Sequence, residues 1–386
     1  MLKRVSCSSV KFILKRHGCS LPHDVVELIL ERLPVKSLVR LMCVSKKWKL
    51  TINSREFQER HYFIRSSKSR DAADVLFVSI MDHSDDKDYE AGRMSMVLGS
   101  SVVWTVKFPI PTNGVTSTSC DGLLCLSHTH SPSFVLNSIT GWHRSSPHSG
   151  FQKLYLHSLN QGDYYKPCHE LGFGKDKMIG TYKPVWLYNS SEFGLDNVTT
   201  CEVFDFATNA WRYVLPASPY RIIVISEPTY LDGSLHWFTQ CEDTKVLSFD
   251  LHTETFQVIS KPPFAPHLRG PRGIVMSILN NRLCVSQKNW PTQVFWSFDD
   301  SSRTWETICS IDLTQVFSWF GGEPDCALEA VEIIDQDKLL LHGKSYSEPR
   351  VPLLLHHLHT KSFNLLYKPT TLGRCVCYFQ SLLTVL

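Results

Sequence analysis

The sequence predicts an α+β protein with two unequal domains, a small N-terminal three-helix domain and an all-β, irregular propeller of six blades. Two observations predict this division. Residues 21–48 place short runs of apolar residues at helical spacing. Beyond residue 74 the chain instead repeats short apolar strands and polar turns at intervals of roughly fifty residues. A length of 386 residues also exceeds that of an ordinary single domain.

Helical spacing is clearest in the first segment. Val25, Ile29 and Leu33 recur at steps of four residues, so they share one face of a helix. Asp24 is the predicted N-cap, because its carboxylate can accept hydrogen bonds from free backbone N–H groups at the start of a helix. Pro34 ends the helix, because proline lacks the N–H group that a helix interior requires.

Two further helices are predicted in the residues that follow. The second extends from about Val35 to Cys43, and the third begins after Ser45, a favourable N-cap residue. Three helices of this length bury too little apolar area to offset the chain entropy that they lose. We therefore expect a partner surface to complete them. The alternative is that their apolar residues form only the core of a local bundle.

The same residues carry a family resemblance. The opening Leu21-Pro22, the run LPVKSL at residues 33–38 and the ending with Val44 and Trp48 resemble the F-box, although Ser45 stands where many plant F-boxes have Cys. The resemblance implies docking to the Skp adaptor, and through it to a cullin, with Val44 and Trp48 supporting the third helix. The implied adaptor-binding set is Leu21, Pro22, Ile29, Leu33, Pro34, Leu38, Val44 and Trp48.

Composition narrows the classes of partner. The formal net charge of +3 is too small to favour nucleic-acid binding, and no apolar run has the roughly eighteen residues that a membrane helix needs. The thirteen cysteines show no CxxC spacing, and no secretory signal precedes them. We therefore expect reduced thiols, a location in the cytoplasm, the nucleus or both, and protein partners without nucleic acid or membrane.

Residues outside the two domains are also assigned. Residues 1–20 contain five basic and no acidic residues, as a mitochondrial presequence does, but they reach the F-box without a processing spacer. A basic N-terminal arm is therefore favoured. The F-box is predicted over residues 21–65, a small polar linker over 66–74, and the propeller over 75–386.

The repeat itself is defined by turn positions. Asp121, Asp176, Asp232, Asn280 and Gln336 follow one another at steps of 55, 56, 48 and 56 residues. A repeat of this length with several strands is typical of propeller blades, which bury both faces only when neighbouring sheets stack. Segments 75–81 and 94–107 supply a sixth blade, and the final strand closes the ring beside the first. An irregular sandwich of the same strands is the alternative.

A second kind of turn separates the last two strands of several repeats. Side-chain oxygens of three aspartates are expected to accept hydrogen bonds from backbone N–H groups there. An aromatic residue then begins the next strand and packs between sheets. The aspartates are Asp205, Asp250 and Asp299, and the aromatic residues are Trp211, Phe256 and Trp305.

The repeats resemble the F-box-associated, kelch-like domain of plant F-box proteins. The resemblance lies in CDGLLCL, in the GFG and YK elements, in CEVFDFATNAWR and in VLSFDL. Two residues depart from that family's pattern. Lys175 stands where the family often has Tyr, and Pro184 interrupts a strand, so we expect irregular strand pairing in that blade.

Candidate catalytic and metal sites are poor. His357 and His359 alternate to one strand face and His356 to the other, so at most two of them can act together. His128 and His130 are interpreted as structural or solvent-facing residues. The sequence contains no phosphate-binding loop and no nucleophile elbow. We therefore predict neither catalysis nor a metal or other cofactor.

Together, the two resemblances imply a non-catalytic substrate-recognition subunit of a Skp-cullin-F-box ubiquitin ligase, whose propeller binds an unidentified target protein. Aromatic and arginine residues often dominate interface energies. The substrate-binding set predicted on this basis is Arg269, Arg272, Phe317, Trp319 and Phe320. Packing of these aromatic residues between blades is equally open. A propeller scaffold without a role in ubiquitination is the alternative function.

Overall fold

A computed structural model describes most of the chain. The described residues are 21–68, 74–79, 92–98, 101–108, 116–163, 169–224, 226–265, 270–343, 351–369 and 373–385. The predicted basic arm, most of the predicted linker and Arg269 lie outside the described residues.

Four helices form the N-terminal part of the described chain, which we call the helical tip (residues 21–68). They are α1 (His23–Leu30), α2 (Val35–Leu41), α3 (Lys46–Asn53) and α4 (Arg55–Lys68). The first three correspond to the predicted helices. The fourth was not predicted, and its last turn occupies residues that the sequence assigns to the linker. Two further α-helices, α5 (Gly150–Asn160) and α6 (Phe317–Phe320), lie between strands of the propeller.

The two predicted helix caps differ in outcome. The hydroxyl Oγ of Ser45 accepts a hydrogen bond from the backbone N–H of Trp48 at 3.1 Å, as predicted. The Asp24 cap is wrong, because α1 begins one residue earlier, after Pro22, and has no side-chain cap. Asp24 instead lies in the first turn, where its negative charge interacts favourably with the positive end of the helix dipole.

Polar contacts from α4 hold the tip together. The guanidinium of Arg60 donates to Glu31 Oε1 at 2.8 Å and also bonds Glu27, so α4 is joined to α1 and the turn after it. His61 lies fully buried, and its Nε2–H donates to the carbonyl of Leu33 at 2.9 Å. Burial lowers the pKa of His61, which favours the neutral imidazole.

Twenty-four strands follow the tip in the part of the chain that the structure describes. They are β1 (Asp74–Ser79), β2 (Gly92–Leu98), β3 (Ser101–Phe108), β4 (Thr116–Cys120), β5 (Leu123–Ser127), β6 (Phe134–Leu136), β7 (His143–Ser145), β8 (Leu171–Lys175), β9 (Tyr182–Asn189), β10 (Thr199–Asp205), β11 (Ala210–Val214), β12 (Thr229–Leu231), β13 (Ser234–Phe238), β14 (Val246–Asp250), β15 (Phe256–Ser260), β16 (Ile274–Leu279), β17 (Arg282–Asn289), β18 (Thr292–Asp299), β19 (Thr304–Asp312), β20 (Glu329–Ile334), β21 (Lys338–His342), β22 (Leu353–His357), β23 (Phe363–Tyr367) and β24 (Gly373–Tyr378).

These strands form six four-stranded antiparallel sheets. Five sheets consist of four consecutive strands each, beginning with β4, β8, β12, β16 and β20; we call them the second to the sixth sheet, and the sheet that contains β1 is the first. In the remaining sheet, the order is β24-β1-β2-β3, and Val75 pairs with Cys377. The final strand therefore pairs beside the first, as predicted. Because β24, β4, β8, β12, β16 and β20 contact one another in a closed ring, the sheets form a propeller and not a sandwich.

The turns between the first and second strands of the sheets occupy the predicted positions. Asp121, Asp232, Asn280 and Gln336 all have positive φ, between 50° and 58°. The turn at Asp176 is stabilised by its side chain, because the buried Oδ1 accepts hydrogen bonds from the backbone N–H groups of residues 178 and 179. Equivalent turns in sequence are therefore equivalent in the fold.

The turns before the last strand also follow the prediction. Oδ1 atoms of Asp205, Asp250 and Asp299 accept from backbone N–H groups two residues ahead. The aromatic residues that follow pack between sheets. The Trp211 indole donates to the carbonyl of Pro147, that of Trp305 donates to Ser260 Oγ, and Phe256 packs on the core between the third and fourth sheets.

The predicted irregularity at Pro184 is wrong. Strands β8 and β9 keep one continuous register, in which Phe173 lies opposite Pro184. The pairing of β9 with β10 extends only to Val185. Proline lacks an N–H group. Pro184 is accommodated because the ladder between β9 and β10 ends at the adjacent residue, Val185.

The propeller has two faces. Because strands alternate in direction, turns between first and second strands and between third and fourth strands lie on one face, which we call the turn face. Connections between second and third strands, and between successive sheets, lie on the opposite loop face. The helical tip packs on the turn face, where Tyr62 contacts Asp121 and the core of the tip includes Ile139. No helix within the described residues combines the length and apolarity needed to cross a membrane.

Candidate docking surfaces on the helical tip and the propeller

An apolar stripe is exposed on α1. The α1 stripe consists of Leu21, Val25, Leu28 and Ile29, whose exposed fractions are 56%, 40%, 55% and 46%. Leu28 and Ile29 follow Val25 by three and four residues, which places these three side chains on one side of α1, and Leu21 lies just before the helix. Pro22 is also exposed at the start of the same helix. A contiguous group of large apolar side chains in water is typical of a surface that binds another protein.

The opposite side of the tip forms a core with the propeller. Leu30, Val35, Ile52 and Phe57 are buried together with Leu382, which comes from the end of the chain. The tip therefore completes part of its core with the body of its own protein. The α1 stripe remains outside that core.

The predicted adaptor-binding residues divide between these two sides. Leu21, Pro22, Ile29 and Pro34 are exposed, whereas Leu33, Val44 and Trp48 are partly buried. Leu38 requires a correction, because it is fully buried in the core that contains Leu382 and presents no surface to a partner. Val25 and Leu28 are absent from the predicted set, although their helical spacing from Leu21 and Ile29 is visible in the sequence.

One hydrogen-bond network fixes the tip to the propeller. The phenol of Tyr62 donates to Asp121 Oδ1 at 2.6 Å, while Lys175 Nζ and the phenol of Tyr182 donate to Oδ2 at 3.1 and 3.0 Å. Burial, reinforced by the Asp121 charge, raises the pKa of Tyr62, so the phenol remains a donor. The Tyr62 ring also meets that of Phe379 edge to face, with centroids 5.4 Å apart.

The end of the chain lies at this junction. Residues 379–385, which we call the C-terminal strap, follow β24 across the turn face. The side chain of Asn137 donates to the carbonyls of Ser381 and Leu383, both at 3.0 Å. At Gly122, a β-carbon would overlap the carbonyl of Phe379. The strap is therefore held by backbone contacts on one side and by Leu382 in the tip core on the other.

The predicted substrate-binding residues belong to the loop face. Arg272 is exposed in a short 3-10 helix before β16. Phe317 is 50% exposed, whereas Trp319 and Phe320 are partly buried against the core of the fifth and sixth sheets. Packing between blades therefore accounts for the last two. Substrate contact by Arg272 and Phe317 stays a prediction.

A cavity of about 510 Å³ extends along the first strands of the sheets. Tyr62 and Asp121 line its end at the turn face, and Pro271 and Arg272 line its end at the loop face. The helical tip therefore contributes a side chain to the end of the propeller's central channel.

Among the described residues, no group of three or more His, Cys, Asp or Glu side chains is placed to hold a metal ion. His128 Nδ1 and His130 Nδ1 lie 3.2 Å apart and share a hydrogen bond. His356 is buried and contacts the ring of Phe363, whereas His359 is exposed. These arrangements match the structural and solvent-facing roles expected from the sequence.

Family models match both parts of the chain. The F-box domain matches residues 19–60, and the F-box associated beta propeller domain matches residues 91–385. The chain is a plant F-box protein with an F-box-associated β-propeller domain. The recognition made from the LPVKSL and CDGLLCL motifs is therefore confirmed, as is a helical F-box followed by an all-β propeller.

Relatives from Arabidopsis thaliana resemble nearly the whole F-box protein. An F-box/LRR-repeat/kelch-repeat protein is 46% identical over 383 residues, which cover 95% of this chain and 97% of the relative. An F-box protein is 52% identical over 316 residues, covering 78% of this chain and 98% of the relative. Among solved structures, TolB from Acinetobacter baumannii has 8% identity and a TM-score of 0.44 over 84% of this chain and 72% of that chain.

Proposed function

We propose that this protein is the substrate-recognition subunit of a Skp-cullin-F-box ubiquitin ligase, docking the Skp adaptor through α1 and binding a target protein with its propeller. The α1 stripe carries the proposal. Its four side chains stay exposed although Leu30, Val35, Ile52 and Phe57 of the tip are packed with Leu382 of the C-terminal strap. An F-box whose apolar residues were all buried against its own propeller would have no such exposed surface.

Burial of the α1 stripe by a partner would contribute substantially to the free energy of binding. Complete burial of a Val, Leu or Ile side chain contributes roughly 1.5–3 kcal/mol. Since each member of the stripe is about half exposed, covering all of them contributes on the order of 1 kcal/mol per residue. Pro22 and Pro34 extend the apolar surface at the two ends of the helix and its following turn.

The target is proposed to bind the loop face. The tip occupies the turn face, so an adaptor on α1 and a target on the loop face engage different sides of the propeller. Arg272 and the half-exposed Phe317 supply the residue types that commonly anchor interfaces. The chain makes no bond itself in this scheme. It raises the effective concentration of the target beside a ubiquitin-charged enzyme.

The proposal includes a site of action in the cytoplasm, the nucleus or both. Nine cysteines among the described residues form no disulfide bond, and five of them are buried. Free thiols are usual in reducing compartments. Burial raises the pKa of the Cys120 and Cys201 thiols, which keeps them protonated and unreactive.

Adaptor capture tests the proposal directly. Leu28→Asp places a charge in the centre of the α1 stripe, and we expect it to abolish co-purification of a plant Skp adaptor and of its cullin. Met178→Asp is the matched control, because Met178 is 75% exposed but belongs to the propeller. Unchanged adaptor capture by Leu28→Asp, with circular dichroism like that of the wild type, would contradict docking through α1.

Ubiquitination requires a separate measurement. Proteins that bind the full chain are compared with and without a proteasome inhibitor, using Leu28→Asp as the variant that cannot recruit the adaptor. A target should accumulate with the inhibitor and with the variant, and should carry ubiquitin only with the wild type. Targets that bind but never acquire ubiquitin would favour the scaffold function.

A further inference from the structure

A cleft separates the helical tip from the third sheet, and adaptor and target binding as proposed above leave it unused. This junction cleft has a volume of about 410 Å³. Arg55 and Gln58 line it from α4, Thr181 and Ala207 line it from turns of the third sheet, and Leu383 lines it from the C-terminal strap. Small-molecule sites are commonly clefts of this size at the contact between two domains.

The inner wall of the junction cleft is apolar and aromatic. Val203, Phe204 and Phe206 belong to this wall and are almost completely buried by the sheet behind them. The rings of Phe204 and Phe206 meet edge to face, with centroids 4.9 Å apart. Val385 continues the same wall from the C-terminal strap. These side chains therefore form a closed apolar floor, and the accessible apolar surface of the cleft comes from Ile179, a lining residue that is 56% exposed.

Positive charge predominates among the side chains that line the cleft. The cationic lining residues are Arg55, Lys175, Lys183 and Arg212. The acidic lining residues are Glu59 and Asp205. Carboxylates that pair with three of the cations lie outside the lining; these are Asp121, Asp176 and Glu254. The surface that a ligand meets is therefore more positive than the surrounding network as a whole.

Several of these cations retain donors for a ligand. Arg55 pairs with Glu59 through Nε at 2.7 Å, which leaves the N–H groups of its two Nη atoms. Arg212 binds Glu254 through both Nη atoms and keeps its Nε–H. Lys183 is different, because its three partners use all of its N–H donors. An anion in the cleft would thus be bound chiefly by the two arginines, one from each domain.

We propose that the junction cleft binds a small anionic amphipathic molecule. Its apolar body packs against Ile179 above the buried wall, and its carboxylate, sulfonate or phosphate group accepts charge-assisted hydrogen bonds from Arg55 and Arg212. Such a ligand contacts the tip and the propeller at once. Binding to the folded chain therefore stabilises the junction by mass action.

Titration with 8-anilinonaphthalene-1-sulfonate, an aromatic sulfonate whose fluorescence rises in apolar sites, tests the shape of the site on the full chain. Ala207→Trp fills the mouth of the cleft, because Ala207 is an exposed lining residue. Thr208→Trp is the control, since Thr208 is exposed on the same turn but outside the lining. We expect the first variant to weaken the saturable binding phase about tenfold or more and the second to leave it unchanged. Equal binding by both variants would overturn the proposal.

The charge requirement is tested at Arg55. Arg55→Gln should weaken binding of the sulfonate about tenfold, whereas Arg32→Gln, an exposed change on the tip outside the cleft, should not. The neutral analogue N-phenyl-1-naphthylamine should bind the wild type more weakly than the sulfonate. Equal affinities for the two dyes, or full binding by Arg55→Gln, would exclude an anionic ligand. These titrations contain no adaptor, so their outcome is independent of ligase function.

Discussion

Tyr62 shows how single polar residues determine the arrangement of the two domains. Its phenol reaches from α4 to Asp121, which also accepts hydrogen bonds from Lys175 and Tyr182. Asp121 was predictable as a turn residue, because an Asp-Gly pair favours positive φ. Its contact with the tip was not predictable, because residues 62 and 121 are far apart in sequence and share no pattern.

Loss of the Tyr62 phenol should weaken the junction. Tyr62→Phe keeps the ring contact with Phe379 and removes the hydrogen bond to the Asp121 carboxylate. Because hydrogen bonds to charged groups contribute about 1.5–3 kcal/mol, we expect the free energy of unfolding to fall by about that amount. Urea denaturation measures it. Tyr220→Phe is the control, because Tyr220 contacts Lys245 through its ring. An equal effect of both changes would show that the junction bond contributes nothing specific.

A buried histidine gives a second expectation at the residue scale. His236 Nδ1–H donates to the carbonyl of Thr229, and burial lowers the pKa of His236 to about 4, although the Asp300 charge opposes this. The unfolded chain therefore binds the proton more readily than the folded chain. Stability from this residue is complete above about pH 6.5, falls as the pH decreases toward 4, and changes by on the order of 3 kcal/mol.

Denaturant unfolding between pH 7 and pH 4 measures that loss. His236→Gln removes the titrating group, so the decline in unfolding free energy across this range should be shallower than in the wild type. His61 and His356 also have lowered pKa values, so a residual slope is expected in the variant. Parallel slopes for the two proteins would contradict the assignment to His236.

Elements with a local signal were predicted well, and those with long-range contacts were not. The strand-turn repeat and the first three helices follow from turn residues and apolar spacing. Helix α4 was missed because polar contacts, which leave no apolar pattern in the sequence, hold it in place. Arg60 bonds α1 and the turn after it, His61 bonds Leu33, and Tyr62 bonds the propeller. Pro184 led to the opposite error, a predicted irregularity that the fold does not have. The ladder between β9 and β10 ends at Val185, so the N–H group that Pro184 lacks is not needed there.

Two glycines with similar φ angles distinguish the local cost of a left-handed backbone from the cost of displacing the C-terminal strap. Gly122 has φ +79° and lies against Phe379, whereas Gly141 has φ +75° and no heavy atom within 4 Å of an added β-carbon. Both Ala substitutions should cost about 1 kcal/mol for the left-handed backbone. Gly122→Ala should cost at least about 2 kcal/mol more, because the strap must move. Equal changes in the midpoint of chemical unfolding would show that the strap gives way freely.

At the scale of the whole molecule, the chain places its two candidate docking surfaces on opposite sides of the propeller. The helical tip and the C-terminal strap meet at the turn face, where β24 closes the ring and the strap enters the tip core. The sequence predicted a helical tip that needs another surface to complete it. It could not show that the propeller supplies part of that surface, because Leu382 lies in an apolar run typical of any final strand.

Coupling of the two domains through Leu382 can be measured. Leu382→Asp places a charge in the buried tip core. Because burial of an unpaired charge is unfavourable, we expect the tip to separate from the propeller. We expect one cooperative unfolding transition to become two, with helix loss at 222 nm preceding the loss of aromatic near-ultraviolet circular dichroism. Leu365→Asp is the control, because Leu365 is 39% exposed on β23. Coincident transitions in Leu382→Asp would mean that the tip and the propeller remain one cooperative unit without the strap.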